Sequence, residues 1–357
     1  MQATATKQDT IKTGGRIMSG MRSTGKLHLG NYMGALYNWV KLQDTYESFF
    51  MIADWHALTS DYADTSAIKS NSLEVTMDWL AAGLDPNRST LFMQSHVLQH
   101  AELHLLFSMI TPLGWLERVP TYKEQQQNMS NKDLGTYGFL GYPLLQSADI
   151  LVYQANFVPV GEDQVPHVEL TREVARRFNQ FYPKRPVPQG LENPDRTYFV
   201  FPEPQPLLTP SPKLPGTDGR KMSKSYGNSI LMSDPEPVIR QKLKTMVTDP
   251  QRVRRTDVGN PEVCPVYGLH KVFSSEETRK EVVAGCTTAG IGCIQCKGWL
   301  ADAVVAHLAP IQERRRKYEE NPKLAWDVLV DGAQKATVAA ENTMREAREA
   351  MKIGKEF

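Results

Sequence analysis

The sequence predicts an α/β protein with a parallel sheet covered on both faces, followed by an all-α region. Three observations carry this. Short apolar runs, "RIMSG" (16–20), "SFFMIADWHALT" (48–59) and "STLFMQS" (89–95), alternate with segments of helical spacing. The runs are continuously apolar, the mark of strands buried on both sides in a sheet flanked by helices. Beyond about residue 233, helical spacing continues and no convincing strand follows.

The first strand, "RIMSG", ends in the turn-prone "RSTGK", and from Leu29 the residues Tyr32, Leu36 and Val40 recur at helical spacing. The second and third apolar runs are strands. Between them "SAIKSNSLEVTMDWLAAGL" (66–84) is an amphipathic helix ended by Gly83. "ILVYQANFVPVG" (150–161) reads as a further strand region and "QVPHVELTREVARRFN" (164–179) as another helix. Residues 185–220 are rich in Pro and Gly and read as loop or linker. In the last part Leu300, Val304, Leu308, Ile311, Arg315 and Tyr318 trace one helix, bent near Pro310. Ala333, Ala336, Ala340, Met344, Ala347 and Met351 trace another, and "ERRRKYEE" (313–320) reads as an exposed helical face.

A chain of 357 residues exceeds one ordinary core, so two domains are expected. The boundaries read 1–15 as a mobile polar tail, 16–232 as the α/β domain and 233–357 as the helical domain. Forty-one Lys and Arg against 40 Asp and Glu leave the overall charge silent about nucleic acid or membrane, so any basic surface is local. No apolar run has the length of a membrane span and the start lacks an apolar signal core, so a cytoplasmic location is expected.

Two stretches carry chemistry. In "SGMRSTGKLHLGNYMGAL" (19–36) a glycine-bearing loop leaves a strand and opens a helix, the place where nucleotides bind in open α/β sheets. Gly30 lets a flat base approach the backbone, the helix N-terminus favours an anion, and His28 stands at the mouth. In "GRKMSKSYGNS" (219–229) Lys221 and Lys224, with Ser223 and Ser225, form a glycine-flanked basic loop suited to neutralising a triphosphate. By composition alone, the plainer reading wins for each: a surface or packed histidine in a turn, and a solvated basic turn.

Together, "HLGN" and, some 190 residues on, "KMSKS" resemble the two signature motifs of class I aminoacyl-tRNA synthetases. "YPLLQSADILVYQANFVPVGEDQVPHVELTREVARRFN" (142–179) resembles their tyrosyl and tryptophanyl branch, and "VPVGEDQ" its tryptophanyl form. The resemblance runs from Arg16 onward. It implies a Rossmann-like catalytic domain, a C-terminal anticodon-binding helical domain, and an α2 homodimer. It also implies activation of L-tryptophan by ATP with Mg²⁺ and transfer to tRNA(Trp).

By that resemblance Arg22, Ser23, Thr24, Gly30 and Asn31 would hold ATP with Gly161, Glu162 and Asp163. His28, Lys221, Ser223 and Lys224 would serve catalysis, with Met222 and Ser225 completing the closing loop. Tyr142 and Gln164 would grip the α-ammonium, Asp149 would accept the indole N–H, and Met18, His56, Gln146, Val158 and Val160 would line the ring. No nucleophilic side chain is needed, because the amino acid's carboxylate attacks the α-phosphate, leaving positioning and charge stabilisation to the protein. Departures from the pattern are Arg22, where many relatives have Gln, and Gln125, where some have a second lysine after Lys123. Asp149 would serve a phenol O–H as well as an indole N–H, so a tyrosyl specificity is the alternative, as is a non-catalytic RNA-binding paralogue. A nucleotidylyltransferase would share the first motif but need neither the 142–179 pocket nor a helical domain.

All four cysteines fall in one region, as Cys264-x21-Cys286-x6-Cys293-x2-Cys296. In a reducing compartment such a set suits a metal site better than disulfides. Four thiolates fit a 4Fe–4S cluster or, alternatively, a tetrahedral Zn²⁺. Some bacterial tryptophanyl enzymes carry a cluster at a spacing one residue longer in the wide gap, so the resemblance favours the cluster. Arg252, Arg254 and Arg255, just upstream, are candidates for tRNA contact.

Overall fold

The structure, a computed structural model, describes residues 12, 14–120, 122, 135–191, 195–208 and 212–354. Lys123 and Gln125 lie outside the described residues, as do most of the expected tail. Five strands, β1 (Arg16–Arg22), β2 (Glu47–Ala53), β3 (Ser89–Met93), β4 (Phe157–Val160) and β5 (Gln205–Leu208), form one sheet in the order β3-β2-β1-β4-β5. Every adjacent pair is parallel.

Period-two alternation divides each strand between two cores. Ile17, Phe50, Ile52, Leu91 and Met93 enter one, whereas Met18, Phe49, Met51, Phe92 and Val158 enter the other. That two-sided burial is why the runs are apolar at every position. The first core is completed by α1 (Leu29–Asn31), which passes through a π turn (Tyr32–Leu36) into α2 (Tyr37–Leu42). On this face Trp39 stacks on Phe50 with ring centroids 4.7 Å apart. Beside them lies α4 (Ile68–Ala82), closed by Gly83 in the left-handed region; α3 (Asp54–Asp61) precedes it directly after β2. The second core is covered by α5 (Gln99–Ser108), α6 (Leu113–Glu117), α7 (Tyr137–Leu151) and α8 (Val165–Phe181).

The remaining helices are α9 (Glu236–Thr245), α10 (Pro265–Phe273), α11 (Glu276–Thr287), α12 (Cys293–Glu320) and α13 (Pro322–Met351). Helix α12 runs unbroken through Pro310 and buries Leu300, Val304, Leu308 and Ile311 in the first core. Helix α13 crosses the β3 edge: Ala325 and Leu329 join the first core, and Ala333, Ala336, Ala340, Met344 and Ala347 the second. At the crossing, a Cβ on Gly332 would stand 1.8 Å from the Leu91 carbonyl oxygen, so only glycine lets helix and strand backbones meet. The helix thereby covers what would be an open sheet edge.

Three expectations are corrected. The first residues of "ILVYQANFVPVG" end α7, and only Phe157–Val160 is strand. The Pro-rich 185–220 segment contains β5, an edge strand, where proline is tolerated because one side of the ladder is unpaired. "ERRRKYEE" is not wholly solvated: Arg315 is 2% exposed and paired to buried Asp78. No helix among the described residues is long and apolar enough to cross a membrane.

Candidate active site

Strand order reverses between β1 and β4: β2 and β3 extend one way, β5 the other. In open α/β sheets the crevice at such a reversal, outside the carboxyl ends of the strands, receives the ligand. Here a cavity of about 350 Å³ opens at that place. All eight residues expected to surround the amino acid line it: Met18, His56, Tyr142, Gln146, Asp149, Val158, Val160 and Gln164. Arg22 and Gly161, expected at the nucleotide, line it too.

Asp149, in α7, is the buried charge of this cavity. Its Oδ2 accepts from His56 Nε2 at 2.7 Å, and its Oδ1 accepts from Gln94 Nε2 and His100 Nδ1, each at 2.7 Å. Burial alone would raise its pKa, but the hydrogen bonds from His100 and His56 hold the carboxyl well below the usual range. It is an acceptor only, at the polar end of an apolar slot.

The nucleotide loop lies beside it. His28 caps α1: its Nδ1 accepts from the Asn31 N–H at 3.2 Å while Asn31 Oδ1 accepts from the His28 N–H at 3.2 Å. Since Nδ1 accepts, the ring proton sits on Nε2, free to donate. Burial, with the charges of Lys224 and Lys221, pushes the His28 pKa down to about 4, so the imidazole is neutral. A Cβ on Gly30 would lie 2.9 Å from the His28 ring, so this close approach requires glycine. Ser23 is buried, and Thr24 is exposed at the loop tip. Arg22 donates through Nη2 to Asp61 at 3.1 Å, with Ser60 beside it, and its buried Nε has no hydrogen-bond partner.

Backbone pairing brings the second motif to the first. The Leu29 N–H donates to Ile230 O at 2.9 Å and the Met232 N–H to Leu27 O at 2.9 Å, an antiparallel bridge between His28 and Leu231. This sets Lys224 over the loop, where its Nζ donates to the carbonyls of Thr24, Gly25 and Lys26, the last two at 3.3 and 3.0 Å. Met222 is buried, whereas Lys221 and Ser225 are exposed. Asn228 braces the turn: it accepts from the Ser223 N–H at 2.8 Å and donates to Lys221 O at 3.1 Å. Glu162 and Asp163 occupy a short 3-10 turn just after β4 and are exposed.

Sequence reasoning missed Gln94, His100, Tyr153 and Asn228. A polar "QSH" directly after the apolar β3 run was a usable signal for the first, since strand ends face the crevice.

The four cysteines are brought into one patch: Cys264 opens α10, Cys286 lies near the end of α11, and Cys293 and Cys296 form the first turn of α12. All are free and partly exposed. Cys296 is pushed up to about 12, by burial first and then by the other three thiols. Arg252 was expected to face tRNA; instead it is 8% exposed and donates to Ile291 O at 2.6 Å and to Cys286 Sγ at 3.7 Å. Arg255 likewise donates to Ala289 O and Gly290 O of the cysteine loop. Among the described residues, no three His, Cys, Asp or Glu side chains stand ready to hold a single metal ion. A tetrahedral zinc would need sulfurs about 3.8 Å apart, from Zn–S bonds near 2.3 Å.

A switch-point crevice with a neutral histidine at a helix start and a lysine loop set over it has the layout of a nucleotide site in the doubly wound α/β class. Residues 12–309 match the family of class I tRNA synthetases (W and Y), and the chain belongs to that family. The tryptophan–tRNA ligase of Thermotoga maritima is 53% identical over 95% of this chain and 99% of its own length. That of Ralstonia nicotianae is 48% identical over 94% and 98%. Among solved structures, tryptophanyl-tRNA synthetase from Campylobacter jejuni, complexed with ADP and tryptophan, superposes with a TM-score of 0.81. It is 31% identical, over 94% of this chain and 99% of that one.

Proposed function

We propose that the chain is a tryptophan–tRNA ligase, joining L-tryptophan and ATP to tryptophanyl-adenylate and pyrophosphate and then charging tRNA(Trp). The observation that carries it is the Asp149 cavity: one ionised acceptor, held by three N–H donors, in a slot walled by Met18, Val158 and Val160. Such a slot favours a ring bearing one N–H, because a ligand lacking it leaves the remaining acceptor position of Oδ2, beside His56, unfilled.

Tyr142 and Gln164 hold the α-ammonium and leave the carboxylate toward the β1 loop. ATP lies over Gly30 and Asn31, against Ser23 and Thr24, with Gly161, Glu162 and Asp163 across the crevice. A carboxylate oxygen of tryptophan forms a bond to the α-phosphorus as the bond to the bridging oxygen of pyrophosphate breaks. His28 Nε2–H donates to phosphate oxygen without adding charge, and Arg22 faces the same seam. Lys221 and Lys224 neutralise the departing pyrophosphate, with Met222, Ser223 and Ser225 completing the loop that carries them. Lys224 exchanges its carbonyl partners for phosphate oxygens. Mg²⁺ carried on the phosphates of ATP would supply further charge neutralisation there.

The helical part, 233–357, reads the anticodon. Cys264, Cys286, Cys293 and Cys296 would hold a 4Fe–4S cluster, with Zn²⁺ as the other occupant a test would reveal. The group would tie α10 and α11 to the first turn of α12, a structural role; Arg252 and Arg255 already gather the same loop. Arg254 and Arg255 both remain exposed, Arg255 with its guanidinium on the cysteine loop. The protein acts in the cytoplasm as a homodimer. Leu98, Leu105, Met109 and Leu113, 54–70% exposed along and after α5, give an apolar face of the kind that dimers cover.

ATP–pyrophosphate exchange tests the reading. Exchange driven by tryptophan and not by tyrosine is the expected result. Exchange driven by tyrosine, or by neither, refutes it.

A further inference from the structure

Asp149 is supported from behind by residues that do not touch the cavity. His56 and Asp149 line it, but Gln94, His100 and Tyr153 do not. His100 is fully buried: its Nδ1 lies 2.7 Å from Asp149 Oδ1 and its Nε2 lies 2.7 Å from the Tyr153 hydroxyl. Tyr153, also fully buried, is stacked on Phe49 at 4.5 Å and set edge-on to Phe92 at 5.4 Å, so its hydroxyl has a fixed address.

Proton bookkeeping assigns the roles. An ionised carboxylate only accepts, so His100 must carry its proton on Nδ1. In the neutral ring Nε2 is then an acceptor, and the Tyr153 O–H donates to it. The carboxylate thus fixes the tautomer, and the Tyr153 hydroxyl, donating to Nε2, anchors the far side of the ring, as outer partners do for metal-binding histidines. Gln94 and His100 together occupy Oδ1, whereas Oδ2 accepts a single bond, from His56 Nε2, and keeps acceptor capacity for the cavity.

We propose that His100, anchored on its far side by Tyr153, is a positioning residue that aims Oδ2 of Asp149 at the substrate ring and sets selection for a ring N–H. This rests on the reading of the cavity as the tryptophan pocket. His100 touches no substrate; it acts through Asp149.

The test compares His100→Ala, His100→Asn, His100→Gln and Tyr153→Phe in pyrophosphate exchange. Tryptophan is set against its benzothiophene analogue, which has sulfur in place of the ring N–H. In His100→Ala the KM for tryptophan rises roughly 10- to 100-fold, the size of a lost charge-assisted hydrogen bond, with the KM for ATP unchanged. The preference for tryptophan over the analogue shrinks. His100→Asn places an amide N–H where Nδ1 stood and recovers most of the preference; His100→Gln, whose amide mimics Nε2, does not. Tyr153→Phe weakens the preference in the same direction. Equal losses for tryptophan and the analogue in all four variants, or wild-type selection in them, overturn the inference. If His100→Ala fails to fold, the Asn and Phe variants decide by the same ratio. Absence of tryptophan-dependent exchange in the wild type would instead refute the function itself.

Discussion

Replacing Arg315 by methionine strips one partner from a buried ion cluster and tests how the C-terminal helices support the nucleotide loop. The Arg315 side chain is 3% exposed and Asp78 is fully buried. The guanidinium reaches Asp78 and Glu74, and donates to Glu319 at 2.8 Å. Asp78 accepts in turn from the Leu27 N–H at 2.7 Å, one residue before His28. Removing the arginine strands a buried carboxylate, which costs about 3–5 kcal/mol. The pair with half-exposed Glu319 adds only about 0.5 kcal/mol. Burial already raises the Asp78 carboxyl from 3.8 to about 6, with Arg315 pulling it down. Its folded value therefore exceeds its unfolded one, and its ionisation erodes stability as pH rises through that interval. Without Arg315 the folded value climbs further, so Arg315→Met loses more at pH 8 than at pH 5. Urea unfolding at both pH values measures this. Adding Asp78→Asn removes the stranded charge, keeps an acceptor for Leu27, and recovers most of the loss. A cost under about 1 kcal/mol at pH 8, or one that does not shrink at pH 5, refutes the reasoning.

Other outcomes follow from the site and the cores. Lys224→Ala lowers kcat for exchange roughly 10²- to 10³-fold, the size of one lost charge-stabilising donor, with little change in the KM for tryptophan. Gly332→Ala forces a methyl group against the Leu91 carbonyl and costs about 3 kcal/mol, read from the urea midpoint. Anaerobically purified protein carries about four irons and four sulfides per chain, lost in Cys293→Ser. About one zinc without sulfide, or neither metal, overturns the cluster.

Much of this was legible because strand burial and loop chemistry are local. β1, β2 and β3 announced themselves as unbroken apolar runs, and the helix before Gly83 by its period and cap. What escaped depends on partners distant in the chain. β5 hid among prolines, because an edge strand needs half its backbone hydrogen bonds and so keeps a loop-like composition. Arg315 sits within three consecutive arginines, and no pattern in that run says which one meets Asp78, over 200 residues away. Arg252 looked like a surface cation for the same reason, although it is buried against the cysteine loop. The eight residues expected at the amino acid do line one cavity, yet the partners that hold Asp149 lie about 50 residues off, beyond the reach of any motif.

The antiparallel bridge between Leu27–Leu29 and Ile230–Met232 separates distance in space from distance in sequence. The glycine loop after β1 and the lysine loop at 219–229 are fastened to each other directly, whatever intervenes. Segments can lengthen between the two anchor points at the small entropic cost of a longer loop, without moving one catalytic atom relative to another.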